Sequence, residues 1–190
     1  MATQRKYGLW LLPVLCMASC RYGSDITGLM PGADEIVINE LSVGRSSEWF
    51  EIANRGSSPF ELGGYAVADT DKVTGAPKAR DAARFPPGTR IEPGGHILVI
   101  SGKKDLRVGP YDMSMCLPNV PMPCFYAPFG VSSTAAEPLH FLSPQDVLIA
   151  TTPYPTVIVD PATGKTACRF PDLTGELALC APTPGAANAL

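Results

Sequence analysis

Prolines and glycines interrupt this chain so often that long helices have little room: 20 prolines and 18 glycines fall among 190 residues. Proline removes a backbone donor and clashes with the preceding helical turn, while glycine reaches turn conformations without steric cost. No window carries a sustained 3.6-residue apolar period, yet short apolar or alternating runs recur between turn signals. The pattern predicts an all-β fold, a sandwich of about eight or nine short strands.

The densest run of such signals is Ile36 to Tyr65. Ile36-Val37-Ile38-Asn39-Glu40-Leu41 is β-branched and alternates imperfectly, Val43 to Ser47 has turn composition, and Trp49 to Asn54 alternates again. There Trp49, Glu51 and Ala53 fall on one face and Phe50 and Ile52 on the other. Phe60-Glu61-Leu62, Ala66-Val67-Ala68 and Arg84-Phe85 continue the series, and His96 to Ile100 reads as a central strand. Further strands are expected at Leu139–Leu142, Val147–Ala150, Thr156–Val159 and Lys165–Cys168. Trp49, Phe50, Phe60, Tyr65 and Phe85 are expected in the core.

The first residues read as an address. Arg5 and Lys6 precede the apolar run Gly8 to Met17, too short to span a bilayer comfortably. Met17-Ala18-Ser19-Cys20 resembles the bacterial lipobox, which implies cleavage before Cys20 and a diacylglyceryl group on its thiol; the alternative is an ordinary secretory signal. The chain then divides into a signal peptide at 1–19, a tether at 20–34 and a globular domain at 35–190. Several acyl chains on one cysteine hold a protein at a membrane durably. Arg21 is not the aspartate associated with inner-membrane retention, so the expected location is the outer membrane. Losing residues 1–19 removes Arg5 and Lys6 and no acid, which moves the formal charge from −3 to −5. Without a basic cluster, nucleic acid is excluded as a partner.

Four cysteines remain for the exported domain: Cys116, Cys124, Cys168 and Cys180. Three pairings are possible. Cys116–Cys124 and Cys168–Cys180 are favoured because each closes a short loop through turn-rich sequence. Their spacings do not match the close ligand pairs of structural zinc sites, and no cofactor is expected. Residues 102–138 form a long, proline-rich connection, which a staple at Cys116–Cys124 would stabilise. Beside it, Phe125, Tyr126 and Phe129 are the expected contact surface, since contiguous exposed apolar groups mark binding sites.

Several segments taken together resemble the lamin-tail domain, an immunoglobulin-like β-sandwich. The resemblance runs through Ile38-Asn39-Glu40-Leu41, Glu48 to Asn54, Phe60 to Asp69, Phe85 to Thr89 and Ile91 to Val99. It continues at Arg169, Pro171 and Asp172 and ends at Thr183-Pro184-Gly185-Ala186-Ala187-Asn188. Leu173 stands where a glycine often follows the aspartate, a departure confined to a turn. The resemblance implies a non-enzymatic binding or scaffolding module.

Residues with chemical potential are few. Glu40, Glu51 and Asn54 are polar groups in strand-like sequence; paired carboxylates could act as acid and base or bind a cation, but all three residues are read as hydrogen-bond acceptors for turn backbone. Asp69 and Asp71 have calcium-like spacing without the glycine and distal glutamate of a calcium loop. His96 and His140 sit in strands outside any nucleophile motif, so no catalytic residue is assigned. The expected function is a lipid-anchored envelope domain that contacts a protein or surface glycan. The alternatives are a metal-dependent envelope hydrolase using Glu40, Glu51 or the Asp69–Asp71 pair, and a passive structural lipoprotein.

Overall fold

The structure, a computed structural model, describes residues 32–43, 47–131, 138–152 and 159–190. The signal peptide, Cys20, most of the tether and nearly all of the strand expected at Thr156–Val159 lie outside the described residues. In chain order the strands are β1 (Ile36–Val43), β2 (Glu48–Asn54), β3 (Phe60–Glu61), β4 (Ala66–Ala68), β5 (Ala83–Arg84) and β6 (Arg90–Ile91). They continue with β7 (His96–Ile100), β8 (Cys124–Tyr126), β9 (His140–Leu142), β10 (Leu148–Thr151), β11 (Thr166–Phe170) and β12 (Glu176–Cys180). Helical geometry among the described residues is confined to three-residue 3-10 segments. The fold is an immunoglobulin-like β-sandwich, with more and shorter strands than expected.

One sheet has the order β12-β11-β1-β2-β7-β8, the other β10-β9-β4-β5, and β3 pairs with β6 apart from both. The main core lies between the two larger sheets. Ile36, Ile38, Phe50, Ile52, Ile97 and Val99 meet Val67, Phe85, Phe141 and Tyr65 there. Tyr65 stacks on Phe141 at 5.4 Å between ring centres.

A β-bulge explains the imperfect alternation of β1. Ile38 pairs with Ile52, but the next pair is Glu40 with Glu51, so Asn39 is the extra residue. The bulge returns Leu41 and Val43 to the core beside Ile36 and Ile38, and leaves Glu40 on the outer face. That outer face is also buried, in two patches. Trp49, Leu98, Ile100, Cys124 and Tyr126 form a second apolar cluster under Leu117, Val120 and Met122. Trp49 therefore belongs to this cluster and not to the main core.

The segment 102–138 is not a plain loop. Proline stops at Pro123 and returns at Pro128, and in that gap β8 pairs parallel to β7, with Val99 opposite Phe125. Its free edge is closed by residues 108–111: the Tyr126 N–H donates to the Val108 carbonyl at 2.6 Å, and the Tyr111 N–H to the Cys124 carbonyl at 2.8 Å. An edge strand covered in this way cannot template further pairing.

Candidate functional site

Two carboxylates stand side by side on the outer face, and both are fully buried. Like charges directly opposite on paired strands repel, so something must satisfy them. The C-terminal segment does. Glu40 accepts from the Thr166 hydroxyl, from the Thr183 N–H at 3.1 Å and from the Thr183 hydroxyl at 3.1 Å. Glu51 accepts from the Gly185 N–H at 2.6 Å and from Asn39 Nδ2 at 3.2 Å. Asn188 Nδ2 donates to the carbonyls of Asn39 and Arg169, so residues 183–188 form a strap across β1, β2 and β11. Gly185 has φ +77°, a conformation that favours glycine, and a Cβ there would lie 2.6 Å from Met122 Sδ, so any larger residue must displace that side chain where strap and stapled loop meet. The Leu173 N–H donates to Asn39 Oδ1 at 3.1 Å. Leu173 takes φ +63°, the left-handed conformation that a glycine would adopt more freely.

Burial sets the electrostatics. It pushes the Glu51 carboxyl up to about 7 against the opposing effect of the Gly185 hydrogen bond, with Glu40 and Asp172 adding repulsion. Burial also raises Glu40. His96, on the neighbouring β7, is held below its ordinary value by burial. Its Nε2 lies 3.6 Å from Glu51 Oε1, beyond hydrogen-bond length, and has no hydrogen-bond partner among the described residues. His140 differs: its two ring nitrogens face the hydroxyls of Thr70 at 2.9 Å and Thr151 at 3.1 Å. Asn54 donates to the carbonyls of Ser58 and Ile91 and accepts from the Gly56 N–H. The oxygens of Glu40 and Glu51 are thus occupied by the chain itself and closed from solvent. They clasp the segment 183–188.

Asp69 and Asp71 also do local work. Asp69 accepts from the Thr70 N–H and pairs with Lys78 at 3.2 Å. The N–H groups of Thr74 and Val73 hold the Asp71 carboxyl below its ordinary value. Among the described residues no three acidic, histidine or cysteine side chains are grouped to hold an ion.

Cys116 and Cys124 are joined with Cα atoms 5.8 Å apart, and Cys168 and Cys180 with Cα atoms 5.9 Å apart, both within the usual disulfide range. The first staples the loop over Trp49. The second links β11 to β12 diagonally, since Cys168 lies opposite Ala178 and Cys180 opposite Thr166.

The aromatic contact surface expected at Phe125, Tyr126 and Phe129 is corrected. All three are buried, at 8%, 4% and 7% exposure. Phe125 points inward and meets Phe85 edge-on, Phe129 stacks on Phe50, and Tyr126 stacks on Tyr111 at 4.1 Å. The pairing of β8 turns these rings into packing groups. Solvent instead meets Leu106, Met113 and Met115.

A cleft of about 550 Å³ opens beside the stapled loop, between the Pro86–Arg90 turn and the Arg107–Pro110 segment, with Phe125 and His96 in its lining. Sequence reasoning missed this cleft and its arginines. The available signal was Arg107, the single arginine in the proline-rich stretch 102–138.

A family model described as Lamin Tail Domain matches residues 30–134, more than half of the chain. The match takes in β1 to β8 and ends before β9, so the strap and Arg169 lie beyond it. No curated protein matches the chain.

Proposed function

The chain belongs to the lamin tail domain family, and from that membership we propose that it is a binding or scaffolding domain without catalysis, held at the bacterial envelope by lipid on Cys20. The observation that carries the reading is the clasp: the carboxylates paired across β1 and β2 are saturated by the Thr183–Asn188 strap. Two disulfides suit an exported, oxidising setting. The order Arg5-Lys6, apolar run, Ala18-Ser19-Cys20 supports lipidation, and Arg21 supports the outer membrane. The tether, residues 20–34, would keep the domain within about 50 Å of the bilayer at full extension.

Two measurements test this. Bacteria expressing the full chain with a labelled fatty acid should incorporate label into the protein and lose it in Cys20→Ser; an unlabelled wild-type protein would overturn the anchor. The purified protein, assayed on a broad hydrolase panel with and without divalent cations, should show no turnover above blank. Turnover abolished by Glu51→Gln would overturn the non-catalytic reading.

A further inference from the structure

We propose that the cleft between the Pro86–Arg90 turn and the Arg107–Pro110 segment binds an extended peptide through an acidic side chain that pairs with Arg107. The proposal rests on the reading of the chain as a binding domain and names the kind of partner. At about 550 Å³ the cleft has the size of a site for a few peptide side chains. Among the described residues its lining contains no Asp, Glu, Asn or Gln, although the whole chain carries a formal charge of −3. The charged groups facing it are therefore arginines, in a protein that is acidic elsewhere.

The two arginines are not equivalent. Arg90 holds Glu92 at 2.9 Å and lies 3.7 Å from Glu61, so its charge is shared outside the cleft. Arg107 has no ion-pair partner among the described residues. Its guanidinium sits 5.1 Å from the centre of the Tyr111 ring, and the Tyr111 hydroxyl donates back to the Arg107 carbonyl at 3.1 Å. A guanidinium resting on an aromatic face keeps its N–H edges free and pre-oriented for a carboxylate.

The rest of the lining selects the ligand class. Pro86, Pro110, Pro123 and Phe125 offer rigid apolar walls. A glycan would need the carboxylates and amides that grip sugar hydroxyls, and the described lining has none. A phosphate dianion would need more cationic donors than one unshared arginine. A peptide carboxylate flanked by apolar side chains fits both the charge and the walls.

A random-peptide phage library panned on the mature protein, held in detergent micelles with its disulfides intact, tests the assignment. Selected sequences, synthesised with amidated C-termini so that no free α-carboxylate competes, should be enriched in Asp or Glu. Arg107→Glu should weaken their binding at least about tenfold, and Arg107→Lys should recover part of it. Arg107 is exposed, and unchanged thermal melts of both variants will separate lost binding from lost fold. A library yielding no enriched peptide, or peptides indifferent to Arg107→Glu, overturns the proposal. Acid-free peptides that bind elsewhere would sink the cleft and leave the binding-domain reading standing.

Discussion

Replacing Glu51 by glutamine should remove a pH dependence that the fold carries. Glu51 ionises near pH 4.5 when unfolded, while burial holds its proton to about pH 7 in the native state. Between these values the native protein binds the extra proton, so stability falls as pH rises. The contribution is fully present below pH 4.5 and gone above pH 7. At about 1.4 kcal/mol for each pH unit between the two values, the full effect is about 3 kcal/mol. Glutamine is neutral throughout and close in shape, so it should lack this slope. The charged or titratable groups facing Glu51 are Glu40, His96 and Asp172. His96, held low by burial, has the opposite sign and loses stability as pH falls through 6.5. It is present in both proteins, and the difference between them largely cancels it. Urea unfolding with the disulfides intact, followed by Trp49 fluorescence from pH 4 to 8, measures that difference. Trp49 is buried beneath the stapled loop and reports unfolding directly. Wild-type stability minus that of Glu51→Gln should drop by about 2–3 kcal/mol across the window. A difference flat to within about 0.5 kcal/mol, or rising with pH, would refute the reasoning.

Three further perturbations follow from the same contacts. Gly185→Ala forces a Cβ against Met122 Sδ at a left-handed φ and should cost about 1–3 kcal/mol, with faster amide exchange in residues 183–188 as the local readout. Removing the first disulfide with Cys116→Ser and Cys124→Ser should cost about 2–3 kcal/mol and shift Trp49 emission to the red, since the loop covers that ring; unchanged emission would count against the cover. Asn54→Ala strips partners from the Ile91 and Ser58 carbonyls and the Gly56 N–H, and a thermal melt should report a loss of about 2–4 kcal/mol.

Much of the architecture was legible locally. Proline and glycine restrict dihedrals wherever they stand, and period-two alternation marks a strand from its own residues, so β1, β2, β7 and β9 can be read directly. The bulge at Asn39 was visible only as a fault in alternation, because its cause is the register with β2. The strand β8 stayed hidden because its three residues are flanked by prolines and depend on β7 for their hydrogen bonds.

By itself the sequence determined the class of fold, the turns, the near pairing of cysteines and the resemblance to a family, since each depends on residues close together in the chain or on their order. Only the tertiary structure decided what is covered. Glu51 and Gly185 are 134 positions apart, and Glu40 and Thr183 are 143 apart. Whether an outward-facing carboxylate is a site or a clasp turns on such contacts. The same holds for Phe125, which Phe85 and the core claim, and for Arg107, which comes to face the Pro86 turn across a cleft. Burial is a property of two distant surfaces meeting, and no local periodicity encodes which ones meet.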